Sequence, residues 1–155
     1  MIKVVRKVFE NFDVFKNYKL YRKLQVVANY PYKKGYIDYN VNLGDRTIRV
    51  RYFNKNNEIK TKKTIIFIHG GGWVAGSIES YTNALSNLSE KLEMSIIAID
   101  YRLAPEYKFP AGFNDCLDIV KIIAKEIGHK NIILMGDSAG GNLCAAVSQK
   151  LRDDF

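Results

Sequence analysis

The chain has 155 residues, 47% of them hydrophobic, only three prolines and a net charge of +8. That describes one ordinary globular domain, long enough to bury a real core. No run of 18 apolar residues occurs, which excludes a membrane-spanning helix, and no repeat or low-complexity segment is present.

The opening M-I-K-V-V-R-K-V-F-E-N-F breaks its apolar residues with charges and lacks the apolar stretch of a signal peptide, so a cytoplasmic location is expected. Cys116 and Cys144 both fall in apolar helical patterns, which predicts reduced thiols rather than a disulfide or metal site. The charge is uneven: residues 1–63 hold 16 Lys/Arg against 5 Asp/Glu, and the remainder is net acidic. A basic, Tyr-rich N-terminal third raises nucleic acid or an anionic membrane as partners. Its lysines are dispersed and accompany no nucleic-acid motif, so a solvated basic face is the better reading and no nucleic-acid partner is expected.

Residues 2–29 place Val5, Val8, Phe9, Phe12 and Phe15, then Tyr18, Tyr21, Leu24 and Ala28, at helical spacing with basic residues opposite. One or two amphipathic helices are predicted, packed on the body of the protein rather than on a membrane, and closed by Pro31. Tyr36 to Leu43 alternates, with Ile37, Tyr39, Val41 and Leu43 on one face. After Gly44-Asp45, Thr47 to Phe53 alternates again with Ile48, Val50 and Tyr52 inward. This predicts a hairpin with one solvated face. Asn54 to Lys63 reads as a polar loop.

Thr64 to Ile68 is a continuous apolar strand that runs into His69-Gly70-Gly71-Gly72-Trp73. Three consecutive glycines leave backbone N–H groups uncovered and able to approach a ligand. His69 abuts them and reads as a brace for the loop rather than as a base. Ser80 to Leu92 is a predicted helix, and Ser95 to Ile99 a second buried strand that ends in D-Y-R-L-A-P-E at 100–106. Phe109-Pro110-Ala111 opens another helix with Pro110 near its first position. Its buried side carries Cys116, Leu117, Val120 and Ile123 or Ala124, and Gly128 ends it.

Ile132 to Met135 reads as a buried strand, stopped by Gly136-Asp137-Ser138-Ala139-Gly140 and followed by a helical pattern at Leu143, Val147 and Leu151. Strand, G-x-S-x-G and helix together form a nucleophile elbow, a strained turn that exposes the Ser138 hydroxyl. A Cβ at Gly136 or Gly140 would crowd that turn. The helix starting after Ser138 aims its positive end at any oxyanion formed there. From residue 64 the order strand–helix repeats three times, which predicts an α/β protein with a mostly parallel sheet and helices on both faces.

H-G-G-G-W at 69–73, D-Y-R-L-A-P-E at 100–106 and G-D-S-A-G-G-N at 136–142 resemble, in order and spacing, the hormone-sensitive-lipase-like carboxylesterases, a group of α/β-hydrolases. The resemblance covers nearly the whole chain. It implies N-terminal cap helices at 1–35, part of a lid over an acyl pocket, and the N-terminal portion of a hydrolase core at 36–155. It implies Ser138 as nucleophile towards an acyl ester, with the N–H groups of Gly71, Gly72 and Ala139 as oxyanion hole and no metal or cofactor. His69, Gly70, Trp73, Gly136, Asp137, Gly140 and the Tyr101–Glu106 stretch would shape the motifs.

One departure is large. In this fold the triad runs Ser, then Asp or Glu, then His. Only 17 residues follow Ser138; the acids among them are Asp153 and Asp154, and His69 and His129 both precede it. The expectation is therefore the N-terminal half of a family member, without the later strands, the triad acid and the histidine, and inactive alone because a serine without its base is a weak nucleophile. The resemblance also implies that the elbow strand pairs with a later strand, so its outer edge should lie open to self-association. A non-catalytic small-molecule binder, a non-functional remnant, and amidase, peptidase or deacetylase activity on the same fold remain as alternatives.

Overall fold

The computed structural model describes residues 17–27, 35–54 and 63–152. Helix α1 (Tyr18–Val27) precedes an antiparallel pair, β1 (Tyr36–Asn42) and β2 (Thr47–Phe53). Then come β3 (Thr64–Ile68), α2 (Ile78–Leu92), β4 (Ser95–Ile99), α3 (Ala111–Ile127), a 3-10 turn (His129–Asn131), β5 (Ile132–Gly136) and α4 (Ala139–Leu151). The polar loop predicted over 54–63 and the helical pattern over 2–16 fall mainly outside the described residues.

The five strands lie in the order β1-β2-β4-β3-β5, with β4, β3 and β5 parallel and β2 antiparallel to β4. The chain steps from β3 to β4 in one direction and from β4 to β5 in the other, across β3. Right-handed crossovers in opposite directions place their helices on opposite faces of the sheet. The packing agrees. Ile66 and Ile68 of β3 meet α3 and α4 through Cys116, Ile119, Val120, Leu143 and Val147. Ile65 and Phe67 meet α2 through Ile78 and Leu85. All five residues of β3 are buried, as a strand covered on both faces requires.

Four expectations change in detail. Helix α2 starts at Ile78, ahead of the predicted Ser80, because the Ser77 hydroxyl accepts from the Ser80 N–H and caps it. Pro110 stands at the cap of α3 rather than inside its first turn. Strand β5 is only half-buried, with Ile133 42% exposed, because among the described residues it ends the sheet and pairs with β3 alone. The outward face of β2 is not solvated: Arg51 is 3% exposed under α2. Its guanidinium donates to both Asp38 oxygens at 2.6 Å and to Thr82 at 2.7 Å, and lies 3.9 Å from the Tyr36 ring centroid.

Helix α1 keeps Tyr18 and Tyr21 of the expected face half-buried but leaves Leu24 of that face exposed. None of its residues is buried, and Leu20, Leu24 and Val27 face solvent. Polar side chains beside Tyr18 and Tyr21 make the hydrogen bonds. Arg22 donates to the carbonyls of Val74 and Ala104 at 2.8 Å and pairs with Glu106, while Gln25 accepts from the Gly76 N–H. Those loop groups have no strand or helix to satisfy them, and a buried backbone group left unpaired is costly.

Candidate active site

The carboxyl ends of β3 and β5 are adjacent, with Ile68 opposite Gly136 in the register. In open α/β sheets that is where ligands bind. Both glycine-bearing motifs begin there.

Ser138 is exposed, with φ 49° and ψ −120°, a backbone conformation costly for any residue with a Cβ. Asp137 closes the turn by accepting through its carbonyl from the N–H groups of Gly140, at 2.7 Å, and Gly141. The glycines on either side are required by contact. A Cβ on Gly136 would come within 2.6 Å of the Ile68 carbonyl oxygen, and one on Gly140 would overlap the same atom. The elbow thus sits directly on the end of β3.

The loop after β3 folds back on itself. Gly71 has φ 124°, and its carbonyl accepts from Val74 and Ala75. Among the described residues no acceptor takes the N–H of Gly71, Gly72 or Ala139. His69 is buried with its Nδ1 2.8 Å from the Gly70 carbonyl and its ring stacked 4.3 Å from Tyr101. The Tyr101 hydroxyl donates to the His69 carbonyl at 2.8 Å. Burial pushes the His69 pKa down, so the ring is neutral at pH 7. His69 is thus tied to the loop and to Tyr101 through its ring and its carbonyl.

His129 lies in the 3-10 turn at the opposite end of β5 from Ser138. The Ser138 hydroxyl has no hydrogen-bond partner among the described residues, and Asp153 and Asp154 lie outside them. No group of three or more His, Cys, Asp or Glu that could hold a metal occurs among the described residues.

Beside these motifs opens an apolar cleft of about 340 Å³, lined by Trp73, Tyr101, Ala104, Tyr107, Phe109, Phe113, Asn142 and Ala146, among others. Trp73 follows the glycines and Asn142 lies one helical turn beyond Ser138, so the cleft is contiguous with both. Trp73 and Phe109 are 48% and 88% exposed at its rim.

Sequence reasoning passed over three residues that build this region. Tyr81, on α2, donates to Asp137 at 2.9 Å. Asp115, fully buried on α3, accepts from Arg102 at 2.8 Å and Arg46 at 2.7 Å, fixing the 100–106 segment and the hairpin turn to that helix. Arg22 reaches in from α1. The acidic residue inside the apolar pattern of α3 was the only signal available.

The parallel strands, the opposed helices and the serine turn define a protein of the α/β-hydrolase class. A sequence profile of the alpha/beta hydrolase fold matches residues 65–155, and the chain belongs to that family. Relatives named as esterases and arylacetamide deacetylases agree with the hormone-sensitive-lipase-like carboxylesterase family. The arylacetamide deacetylase of Oryctolagus cuniculus is 35% identical over 130 residues, 76% of this chain and 33% of that protein. The arylesterase of Saccharolobus solfataricus is 38% identical over 122 residues, 76% of this chain and 40% of that protein. The solved hyperthermophilic esterase from Pyrobaculum calidifontis superimposes with a TM-score of 0.78 at 30% identity, over 93% of this chain and 48% of that one. The chain thus spans about a third to a half of the length of these relatives.

Proposed function

We propose that this chain carries the nucleophile and the oxyanion site of a serine carboxylesterase. The supporting observation is the meeting of a strained, exposed Ser138 with three unpaired N–H groups at the joined ends of β3 and β5. In the reaction, the Ser138 oxygen bonds to the ester carbonyl carbon as its proton passes to a base. The carbonyl oxygen takes the negative charge and is held by the N–H groups of Gly71, Gly72 and Ala139, each such donor being worth about 2.7–4 kcal/mol in the transition state. The alcohol then departs with the proton, and water releases the acid from the acyl-serine.

The aromatic cleft favours acyl esters with a compact apolar or aryl group, in keeping with relatives named arylesterase and arylacetamide deacetylase. Neither described histidine suits the role of base: His69 is buried in its brace and His129 is at the far end of β5. The reading therefore requires a base and an acid partner in addition to the described residues. We also propose that copies of the chain associate through the open edge of β5.

The test is hydrolysis of p-nitrophenyl butyrate with Ser138→Ala as control. The 155-residue chain alone should stay near background, and a longer polypeptide carrying a later acid and histidine should be active and lose that activity in Ser138→Ala. Robust turnover by this chain, abolished by the substitution, would demand a base from a second copy. The bare Ser138 hydroxyl also supports a second reading, a small-molecule binder that does not turn over. Saturable binding of an acyl ligand by both the short and the longer chain, without product, would favour it.

A further inference from the structure

Asp137 immediately precedes Ser138 and is exposed, yet both its carboxylate oxygens are occupied by donors of the fold. Oδ1 accepts from the Gly70 N–H at 2.9 Å, and Oδ2 accepts from the Tyr81 hydroxyl at 2.9 Å. Gly70 is packed so closely on this carboxylate that a Cβ there would overlap it. The Tyr81 ring is itself held, 5.1 Å from Phe67 and 6.2 Å from His69 by ring centroids. Burial and the adjacent carboxylate push its pKa up to about 12, so the phenol keeps its proton at any working pH.

We infer that Tyr81 is a positioning residue for the oxyanion site: it holds Asp137 Oδ2, which leaves Oδ1 to fix the Gly70 amide and so to aim the Gly71 and Gly72 N–H groups beside Ser138. This rests on the esterase reading above. Its physical basis is charge as well as geometry. A carboxylate one residue from the nucleophile opposes a developing oxyanion and competes for the same donors. Two fixed donors occupy it and hold it at a distance. A neutral ester in the ground state feels little of this, so the effect falls on the transition state.

Tyr81→Phe keeps the ring and removes only the hydroxyl. In an active longer form, kcat should fall about tenfold with KM unchanged, since small misplacements of catalytic groups cost up to about a hundredfold. Tyr81→His, which restores a donor, should recover part of the loss. In the 155-residue chain, the Gly70 amide should exchange with solvent about tenfold faster in Tyr81→Phe at an unchanged unfolding midpoint. Unchanged Gly70 exchange together with unchanged kcat would overturn the inference. A uniform rise in exchange with a lowered midpoint would also overturn it, in favour of simple packing. Should Ser138→Ala leave hydrolysis intact, the esterase reading fails by itself, and the exchange measurement still decides whether Tyr81 holds the loop.

Discussion

The two ends of the sheet are built on opposite terms. Around β1 and β2, charge has been drawn inside and paired. Arg51 is locked to Asp38, Arg49 bridges Glu79 and Asp100 at 2.8 Å, and Asp115 binds two arginines. Strand β5 itself carries no charged residue, Ile133 is exposed, and among the described residues the strand is paired on one side alone. The exposed Ser138 belongs to the open end, whereas the 100–106 segment is fastened to the closed one through Arg102 and Asp115. Rigidity and access are thus drawn from different parts of one sheet.

The sharpest way to break this contrast is Asp115→Ala. It leaves Arg46 and Arg102 facing each other without their shared carboxylate and should destabilise the chain by about 3 kcal/mol, read from denaturant midpoints. A loss under about 1 kcal/mol would mean that the paired charges only decorate the fold.

Acid offers a second, smaller test. The folded protein keeps His69 neutral, whereas the unfolded chain protonates it near the ordinary histidine value of 6.5. Below that pH the unfolded state takes up a proton that the folded state refuses. Stability should therefore fall as pH drops from about 6.5, by at most about 1.4 kcal/mol per unit. His69→Phe, which keeps a ring against Tyr101, should flatten this slope between pH 5 and 7. At lower pH a different group takes over. The hydrogen bond from Arg51 holds the Asp38 carboxyl below its usual range, so its contribution is present above that range and disappears as pH falls through the folded value.

The smallest effect on stability belongs to the open end. Ile133→Thr should change unfolding by less than about 1 kcal/mol, yet lower the mass seen by light scattering, since an unguarded edge is a template for pairing. Equal scattering from both proteins would remove β5 as the contact.

The parallel core and the serine turn were legible because their signals are local. Continuous apolar runs ending at glycine identify β3 and β5, and the spacing of Leu143, Val147 and Leu151 identifies α4. Arg51 was not legible. Alternation alone marks an arginine as solvent-facing, and only a helix folded some thirty residues later supplies the Thr82 and Glu79 that bury it. Tyr81 escaped for the same reason, since its partner lies 56 residues away. The start of α2 was misplaced because Gly76-Ser77 looks like loop until the serine is recognised as a cap. Helix α1 turns Arg22 and Gln25 inward beside Tyr18 and Tyr21 because backbone groups of two distant loops await it.

The register of β3 against β5 also orders events in time. Thr64 pairs with Ile132, whereas its other neighbour, Ser95, follows far sooner. At the roughly 5–20 residues per second of protein synthesis, β3 waits several seconds on the ribosome with one side bare. Until β5 arrives, Gly70 has no Asp137 to bind and the glycine loop has no seat. The proposed oxyanion site is thus among the last parts of the described chain to be assembled, and a nascent chain that stalls before residue 132 carries the loop without its fastening.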